Sequence, residues 1–288
     1  MEIAVISGKG GTGKSSISAA FATLSEKVVL ADCDVDAANL HILFNPSHDE
    51  ELVYASGHKA TINYNLCLNC GLCSNYCRFD AISFQNNKVA ISETSCDGCF
   101  LCSRVCPSKA ISMIRNDKSR MYSGSFRNGK MVYGRLAPGE ENSGKLVSIV
   151  REKAKQIAAQ SSINTIILDG PPGIGCAVIS TITGVDHVLI VTEPTISGMH
   201  DLQRTVEITA KFNLKTWVLI NKYDLNFEMT KQIEVYCNDL GIKTIGKLLF
   251  NPQVVEAMIN CKSIVEWAPT SDVAEEIRAA YGMIVCNK

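Results

Sequence analysis

The stretch Gly8-Lys9-Gly10-Gly11-Thr12-Gly13-Lys14-Ser15 constrains this chain more than any other. It follows an apolar run, Ile3-Ala4-Val5-Ile6, and leads into the helical pattern Ile17, Ala20, Phe21, Leu24. Strand, glycine loop and helix in that order are the context of a phosphate-binding P-loop. The glycines let successive backbone N–H groups turn towards phosphate oxygens, and the helix N-terminus adds its partial positive charge. Gly8, Gly10, Gly11, Thr12, Gly13, Lys14, Ser15 and Ser16 are therefore the candidate nucleotide-binding residues. Lys14 would reach the β- and γ-phosphates as a point charge, and the Ser15 hydroxyl would hold Mg²⁺. A plain glycine-rich turn is the alternative, and the full eight-residue match in this context weighs against it.

Lys9, directly after the first glycine, narrows the class. The resulting GKGGTGKS resembles the deviant Walker-A loop of the MinD/ParA family of P-loop ATPases, which includes the nitrogenase iron protein. The resemblance covers nearly the whole chain outside a cysteine-rich insert. It implies that Lys9 reaches the nucleotide of a partner subunit, so that ATP binding brings about a homodimer. A solvated loop charge is the other reading of Lys9.

Hydrophobic residues at 46% and charged residues at 20% of 288 describe an ordinary soluble globular protein. The formal net charge is −1 and there is no long basic run, which disfavours extended binding to nucleic acid. The first residues enter a strand at once, and no apolar stretch is long enough to span a bilayer. A cytoplasmic protein without a membrane partner is expected. Thirteen cysteines in such a chain point to metal or redox chemistry before disulfides. Eight lie between residues 67 and 106; Cys33, Cys176, Cys237, Cys261 and Cys286 are scattered.

Lys27-Val-Val-Leu-Ala-Asp32 reads as a second strand, running into Asp32-Cys33-Asp34-Val35-Asp36. Carboxylates at the carboxyl end of a parallel strand beside a P-loop sit where such sheets place ligand chemistry. The family resemblance makes this the first switch and implies that Asp34 orients the attacking water, with Asp32 or Asp36 supporting the loop or metal shell. Three carboxylates that merely cap a loop are the alternative.

Near residue 58 the α/β rhythm stops. Two runs follow, Cys67-x2-Cys70-x2-Cys73-x3-Cys77 and Cys96-x2-Cys99-x2-Cys102-x3-Cys106-Pro107. Each has a matching tail, Asp80-Ala81-Ile82-Ser83 and Lys109-Ala110-Ile111-Ser112, so the segment is an internal duplication. This spacing holds an iron–sulfur cubane, and the fourth cysteine of each run ligates the other cluster in two-cluster proteins. On that rule one [4Fe–4S] takes Cys67, Cys70, Cys73 and Cys106, and the other takes Cys96, Cys99, Cys102 and Cys77. The segment resembles bacterial two-cluster ferredoxins. Arg78 departs from their pattern, standing where the first run usually has proline, which puts local geometry and potential in question but not ligation. Structural zinc on four-cysteine sites is the rival.

Residues 117–141 are polar and turn-rich, with a β-hairpin expected around Arg127-Asn128-Gly129. Pro138-Gly139-Glu140-Glu141-Asn142-Ser143-Gly144-Lys145 then leads into a helix with Leu146, Val150, Ile157 and Ala158 on one face, capped by Asn142 or Ser143. Ser143 and Lys145 suit either anion or partner binding or a simple helix start. A third core strand, Asn164–Asp169, ends in Gly170-Pro171-Pro172-Gly173. Asp169 resembles the Walker-B aspartate, holding Mg²⁺ directly or through water, and the Pro-Pro-Gly segment resembles the second switch. Cys176 has the spacing of a cluster ligand in the nitrogenase iron protein, but no second cysteine lies between Gly139 and Gly144, so a small buried thiol is expected.

Strands at Val188–Thr192 and Trp217–Asn221 are expected to complete the parallel set. Asn221-Lys222-Tyr223-Asp224 spells the N-K-x-D of guanine recognition, yet the accompanying D-x-x-G fails because position 172 is proline. The family resemblance implies that Asn221 contacts adenine and that Pro252, after Asn251, closes over the base; ATP is the chosen nucleotide, with GTP still open. The C-terminal helix, about Asp272 to Ile284, lacks a lysine-rich membrane-targeting tail. The five histidines show no ligand spacing.

The expected fold is α/β, a mostly parallel P-loop NTPase sheet with helices on both faces, plus an inserted bacterial two-cluster ferredoxin-like module. The core would comprise 1–57 and 117–288, the insert 58–116. The implied activity is Mg²⁺-dependent ATP hydrolysis, with Lys9, Lys14, Asp34 and Asp169 catalytic. The first functional reading is a dimeric ATP switch coupled to electron transfer, or to metal-cofactor assembly, on a redox or metallocofactor partner protein. The second is a positioning or partitioning ATPase like MinD or ParA, with structural or redox-sensing clusters. A ferredoxin tethered to a vestigial ATPase is a third, disfavoured by the intact Lys14, Ser15, Asp34 and Asp169.

Overall fold

The computed structural model describes residues 1–140 and 143–286. In chain order the core begins with β1 (Glu2–Ser7), α1 (Lys14–Leu24), β2 (Val28–Asp32), α2 (Leu40–Phe44) and β3 (Glu50–Tyr54). A cysteine-rich stretch follows with β4 (His58–Ile62), α3 (Leu72–Asn75), β5 (Ile82–Gln85), β6 (Lys88–Ile91), α4 (Leu101–Val105) and β7 (Ile111–Arg115). The hairpin β8 (Ser119–Phe126) and β9 (Gly129–Arg135) leads to α5 (Ser143–Gln160), β10 (Ile166–Pro172) and α6 (Cys176–Ile182). The chain ends with β11 (His187–Thr192), α7 (Ile196–Lys211), β12 (Lys215–Asn221), α8 (Phe227–Asp239), β13 (Lys243–Leu248), α9 (Gln253–Ile259), α10 (Ile264–Trp267) and α11 (Asp272–Val285).

The chain divides into two compact units, one of residues 1–51, 121–134 and 144–288, the other of 52–120 and 135–143. The second unit contains all of 58–116 and reaches beyond it on both sides. It also takes in 135–143, a return segment between β9 and α5.

The first unit is built on a sheet in the order β13-β12-β11-β1-β10-β2-β9-β8-β3. From β13 to β9 all neighbouring strands pair in parallel. Parallel strands covered on both faces need apolar residues at every position. Ile3, Ala4, Val5 and Ile6 are fully buried, as are Val188 to Val191. Ile3 and Val5 face a core shared with Ile17 and Phe21 of α1 and with Val273, Ile277 and Ile284 of α11. On the opposite face a side chain at Gly170 would meet Ile6 and Thr181 of α6.

Two strands were missing from the expected parallel set. Trp217–Asn221 does not end it: β13 pairs with β12 beyond it. The hairpin forms around Arg127-Asn128, and its second strand joins the sheet, with Asp32 opposite Tyr133. Lys243-Thr-Ile-Gly-Lys-Leu is too short and too polar to stand out by pattern, since Lys243 and Lys247 alternate with the buried Ile245 and Leu248.

In the second unit β4 pairs antiparallel with β7, and β5 with β6. The two strands flanking the first cysteine run thus pair with the two flanking the second. The duplication extends to the backbone. Asn69 and Gly98, Gly71 and Phe100, and Asp80 and Lys109 are matching positions, and all six have positive φ. Among the described residues no helix is long and apolar enough to cross a membrane.

Candidate functional site

The glycine loop turns from β1 into α1 and forms one wall of an open cleft. Gly10, Gly11, Thr12, Gly13, Lys14, Ser15 and Ser16 line it, together with Asp34, Asn39, Pro172 and Met258. Gly13 needs its lack of a side chain: its φ is +89°, and a Cβ there would lie 2.4 Å from Asn221 Nδ2. Thr12 Oγ1 is buried without a hydrogen-bond partner. Polar atoms in such a position normally have one, so a phosphate-bearing ligand fits this loop.

Lys14 is almost fully buried, 3.5 Å from Asp169 Oδ1 and 3.9 Å from Asp34 Oδ2. Ser15 Oγ and Ser18 Oγ donate to Asp169 Oδ2 and Oδ1, each at 2.7 Å. Ser15 and the carboxylate of β10 thus meet, as a shared Mg²⁺ position requires. Ser18 was missed in the sequence, where it reads as one more small residue on the helix.

Asp32 is fully buried and accepts from the backbone N–H groups of Asp34, Asn39 and Leu40, at 3.1 Å each. Burial and the neighbouring Asp169 carboxylate raise its pKa above the ordinary value, and the Leu40 N–H opposes them. Asp32 thus fastens the loop that follows β2 and leaves Asp34 on the cleft wall. Burial also raises the Asp34 pKa, against the pull of Lys14.

The Pro171-Pro172-Gly173 segment closes β10, and there Gly173 N donates to Ser7 O at 2.9 Å. Cys176 is exposed, which corrects the expectation of a buried thiol. It heads α6 and is packed from behind by Gly144, whose Cβ would lie 3.2 Å from Cys176 Cβ. Small residues at both positions reflect this close approach and not burial of the sulfur. Ser143 begins α5, while Asn142, the alternative cap, lies outside the described residues.

Gly8 and Lys9 are not on the cleft wall. Gly8 backs onto Asp201 of α7. Lys9 Nζ lies 2.5 Å from Glu193 Oε1 and bonds Thr195 Oγ1 and Ser197 Oγ. Lys222 approaches the other Glu193 oxygen at 3.3 Å and Gly11 O at 3.3 Å. Burial favours the neutral form of Glu193, yet the bond from Lys9 and the charge of Lys222 outweigh it and hold its pKa below the usual carboxylate value. Glu193 is separated in sequence from both lysines and carries no motif, so it was not foreseen. Asn221 donates to Thr12 O at 2.8 Å, and Asp224 Oδ1 accepts from Phe250 N at 2.7 Å. Pro252 is the N-cap of α9, the helix whose Met258 reaches the cleft.

In the second unit the eight cysteines of the two runs surround two cavities. One is lined by Cys67, Cys70, Cys73 and Cys106. The other is lined by Cys77, Cys96, Cys99 and Cys102. Each run supplies three thiols to one cavity and its fourth to the other. Among the described residues no group of three His, Cys, Asp or Glu side chains is placed to hold a single metal ion. Burial, and next the Cys96 thiol, push Cys102 up to about 11. At Cys106 burial is outweighed by the Ser108 hydroxyl and the Ala110 N–H, and its pKa is lowered. Ala110 N lies 3.3 Å from Cys106 Sγ.

A glycine loop heading a helix, with a serine on the carboxylate of the adjacent parallel strand, defines a P-loop protein. The chain belongs to the CobQ/CobB/MinD/ParA nucleotide binding domain family, which residues 3–264 match. It is 41% identical over 232 residues to the uncharacterized protein MJ0578 of Methanocaldococcus jannaschii, covering 78% of this chain and 79% of that one. Its fold is similar to that of the septum site-determining protein MinD of Pyrococcus horikoshii, solved with Mg-ADP. That match has a TM-score of 0.59 and 17% identity, over 98% of this chain and 95% of that one. The cell division ATPase MinD of Pyrococcus furiosus matches with a TM-score of 0.59 and 16% identity, over 100% and 99% of the two chains.

Proposed function

We propose that the protein is a Mg²⁺-dependent ATPase whose ATP-bound homodimer is coupled to iron–sulfur electron transfer, or to metal-cofactor assembly, on a partner protein. The observation that carries the reading is the interleaved lining of the two cavities, three thiols from one run and one from the other in each. Four thiols spread round a cavity suit a polynuclear cluster, whereas zinc draws its four ligands to one point. Two [4Fe–4S] clusters held by these eight cysteines would supply one-electron chemistry.

On the nucleotide side, Lys14 would bind the β- and γ-phosphates, and the loop N–H groups would hold their oxygens. Ser15 and Asp169 would hold Mg²⁺, directly or through water. Asp34 would orient the attacking water, fixed in place by Asp32 beneath it. Lys9 would leave Glu193 for the partner subunit's phosphates, and the Pro171-Pro172-Gly173 segment would respond to the γ-phosphate. Asn221 and Pro252 would position the base.

The test is anaerobic purification with iron and acid-labile sulfide quantified, followed by reduction of captured partner protein with ATP, ADP or no nucleotide. Iron and sulfide near equal amounts, with transfer dependent on ATP, are expected. Zinc without sulfide would sink the redox half, and transfer indifferent to nucleotide would sink the coupling. A positioning ATPase would instead form ATP-dependent patterns on membrane or DNA.

A further inference from the structure

We infer that Lys59 is a positioning residue for the second four-cysteine cavity, and that its ammonium makes the cluster held there the easier of the two to reduce. The inference rests on the two-cluster reading above. Strand β4 turns Lys59 inward, where it is 4% exposed. Its Nζ donates to the backbone oxygens of Cys96 and Gly139, each at 2.8 Å. Cys96 lines the second cavity. A buried ammonium therefore bonds the main chain of one of the four candidate ligands.

Its counter-ion is arranged differently. Glu140 Oε1 lies 3.9 Å from Lys59 Nζ, and its carboxylate is held by Asn116 Nδ2 and by Ser56 Oγ. The carboxylate is thus tied to two neutral donors, while the ammonium is tied to the ligand loop. The return segment seals the arrangement. Gly139 has φ +72°, and a side chain there would lie 2.3 Å from Thr94 O, so the segment presses on the residues just before Cys96.

The duplication supplies an internal control. The residue matching Lys59 in the second repeat is Lys88, as Ala60 matches Val89 and Ile62 matches Ile91. Lys88 is exposed. Solvent and salt screen an exposed charge far more than a buried one. Cluster potential follows net charge, hydrogen bonding to the ligands and solvent access. A buried positive charge favours the more negative, reduced state, so the two clusters should be unequal although their ligands are duplicated.

The experiment is a dithionite titration of the anaerobically purified full chain, each cluster accepting one electron, followed by electron paramagnetic resonance. The wild type should reduce in two resolved steps. Lys59→Met should move the higher-potential step to more negative values and leave the other in place, and Lys59→Arg should restore it. Glu140→Gln should move the same step the opposite way. A role in packing alone would not give shifts of opposite sign from the two partners. Should Lys59→Met fail to assemble, Glu140→Gln and Lys59→Arg still decide the matter. Both steps moving together, or neither moving in any variant that holds iron and sulfide, would overturn the inference while leaving the two-cluster reading intact. Zinc without sulfide in the wild type would overturn both.

Discussion

Asn221 Nδ2 lies 2.4 Å from the point a Cβ on Gly13 would occupy, and it donates to Thr12 O at 2.8 Å. The end of β12 therefore clamps the glycine loop from outside. Gly13→Ala would combine a left-handed backbone with a collision. A non-glycine residue held in such a region costs roughly 1–3 kcal/mol. Nucleotide affinity should fall by about tenfold or more, since about 1.4 kcal/mol is one decade. A fluorescent ATP analogue titrated against wild type and variant checks this, with circular dichroism to establish that the fold survives.

The three motif positions of the N-K-x-D run each make a polar contact within the protein. Asn221 holds the glycine loop, Lys222 bonds Glu193, and Asp224 accepts from Phe250 N. An aspartate engaged with a backbone N–H is poorly placed to read the edge of guanine. ATP should displace the fluorescent analogue at lower concentration than GTP. Asp224→Ala should leave that order unchanged and destabilise the fold by about 1 kcal/mol, the net value of one hydrogen bond. A swap of preference in the variant would mean that Asp224 reads the base.

These two cases mark what the sequence could and could not disclose. The glycine loop and Asp169 were legible because each is a local pattern that phosphate and Mg²⁺ binding requires, and the cysteine runs were legible as a duplicated local spacing. The clamp from Asn221 and the Glu193 contact join residues far apart in the chain, so no local period records them. Cys176 was misread for a related reason. Its spacing and small size were visible, but its exposure depends on how Gly144 meets the start of α6. The strand β13 was hidden because Lys243 and Lys247 interrupt its apolar positions, and only pairing to β12 gives it order.

Lys9 and Glu193 give a prediction with two readouts. Lys9→Ala should spare nucleotide binding, since Lys9 is not on the cleft wall, but should weaken ATP-dependent dimerisation. Light scattering with ATP and with ADP checks it; an unchanged dimer would remove Lys9 from the partner's site. The pH dependence follows from Glu193, whose folded pKa lies below its ordinary value of 4.5. A carboxyl of that kind adds stability above its unfolded pKa and loses it as pH falls through the folded one. Wild type should therefore lose more stability than Glu193→Gln as the pH drops from about 5 towards the folded value, in urea unfolding curves. The difference should be small, because solvent screens a partly exposed pair.

The interleaved cavities predict how single cysteines fail. Cys99 lies on the second cavity and Cys70 on the first, and both are exposed, so replacing either disturbs little packing. Cys70→Ser and Cys99→Ser should each lower bound iron from about eight to about four per chain, if each cavity holds one four-iron cluster. The decisive pair is Cys77→Ser and Cys99→Ser. Cys77 belongs to the first run in sequence but to the second cavity in space. Combining Cys77→Ser with Cys99→Ser should leave about four iron, because both residues serve one cluster, whereas Cys77→Ser with Cys70→Ser should leave almost none. If the first combination emptied both sites and the second only one, each run would hold its own cluster and the crossed assignment would be wrong.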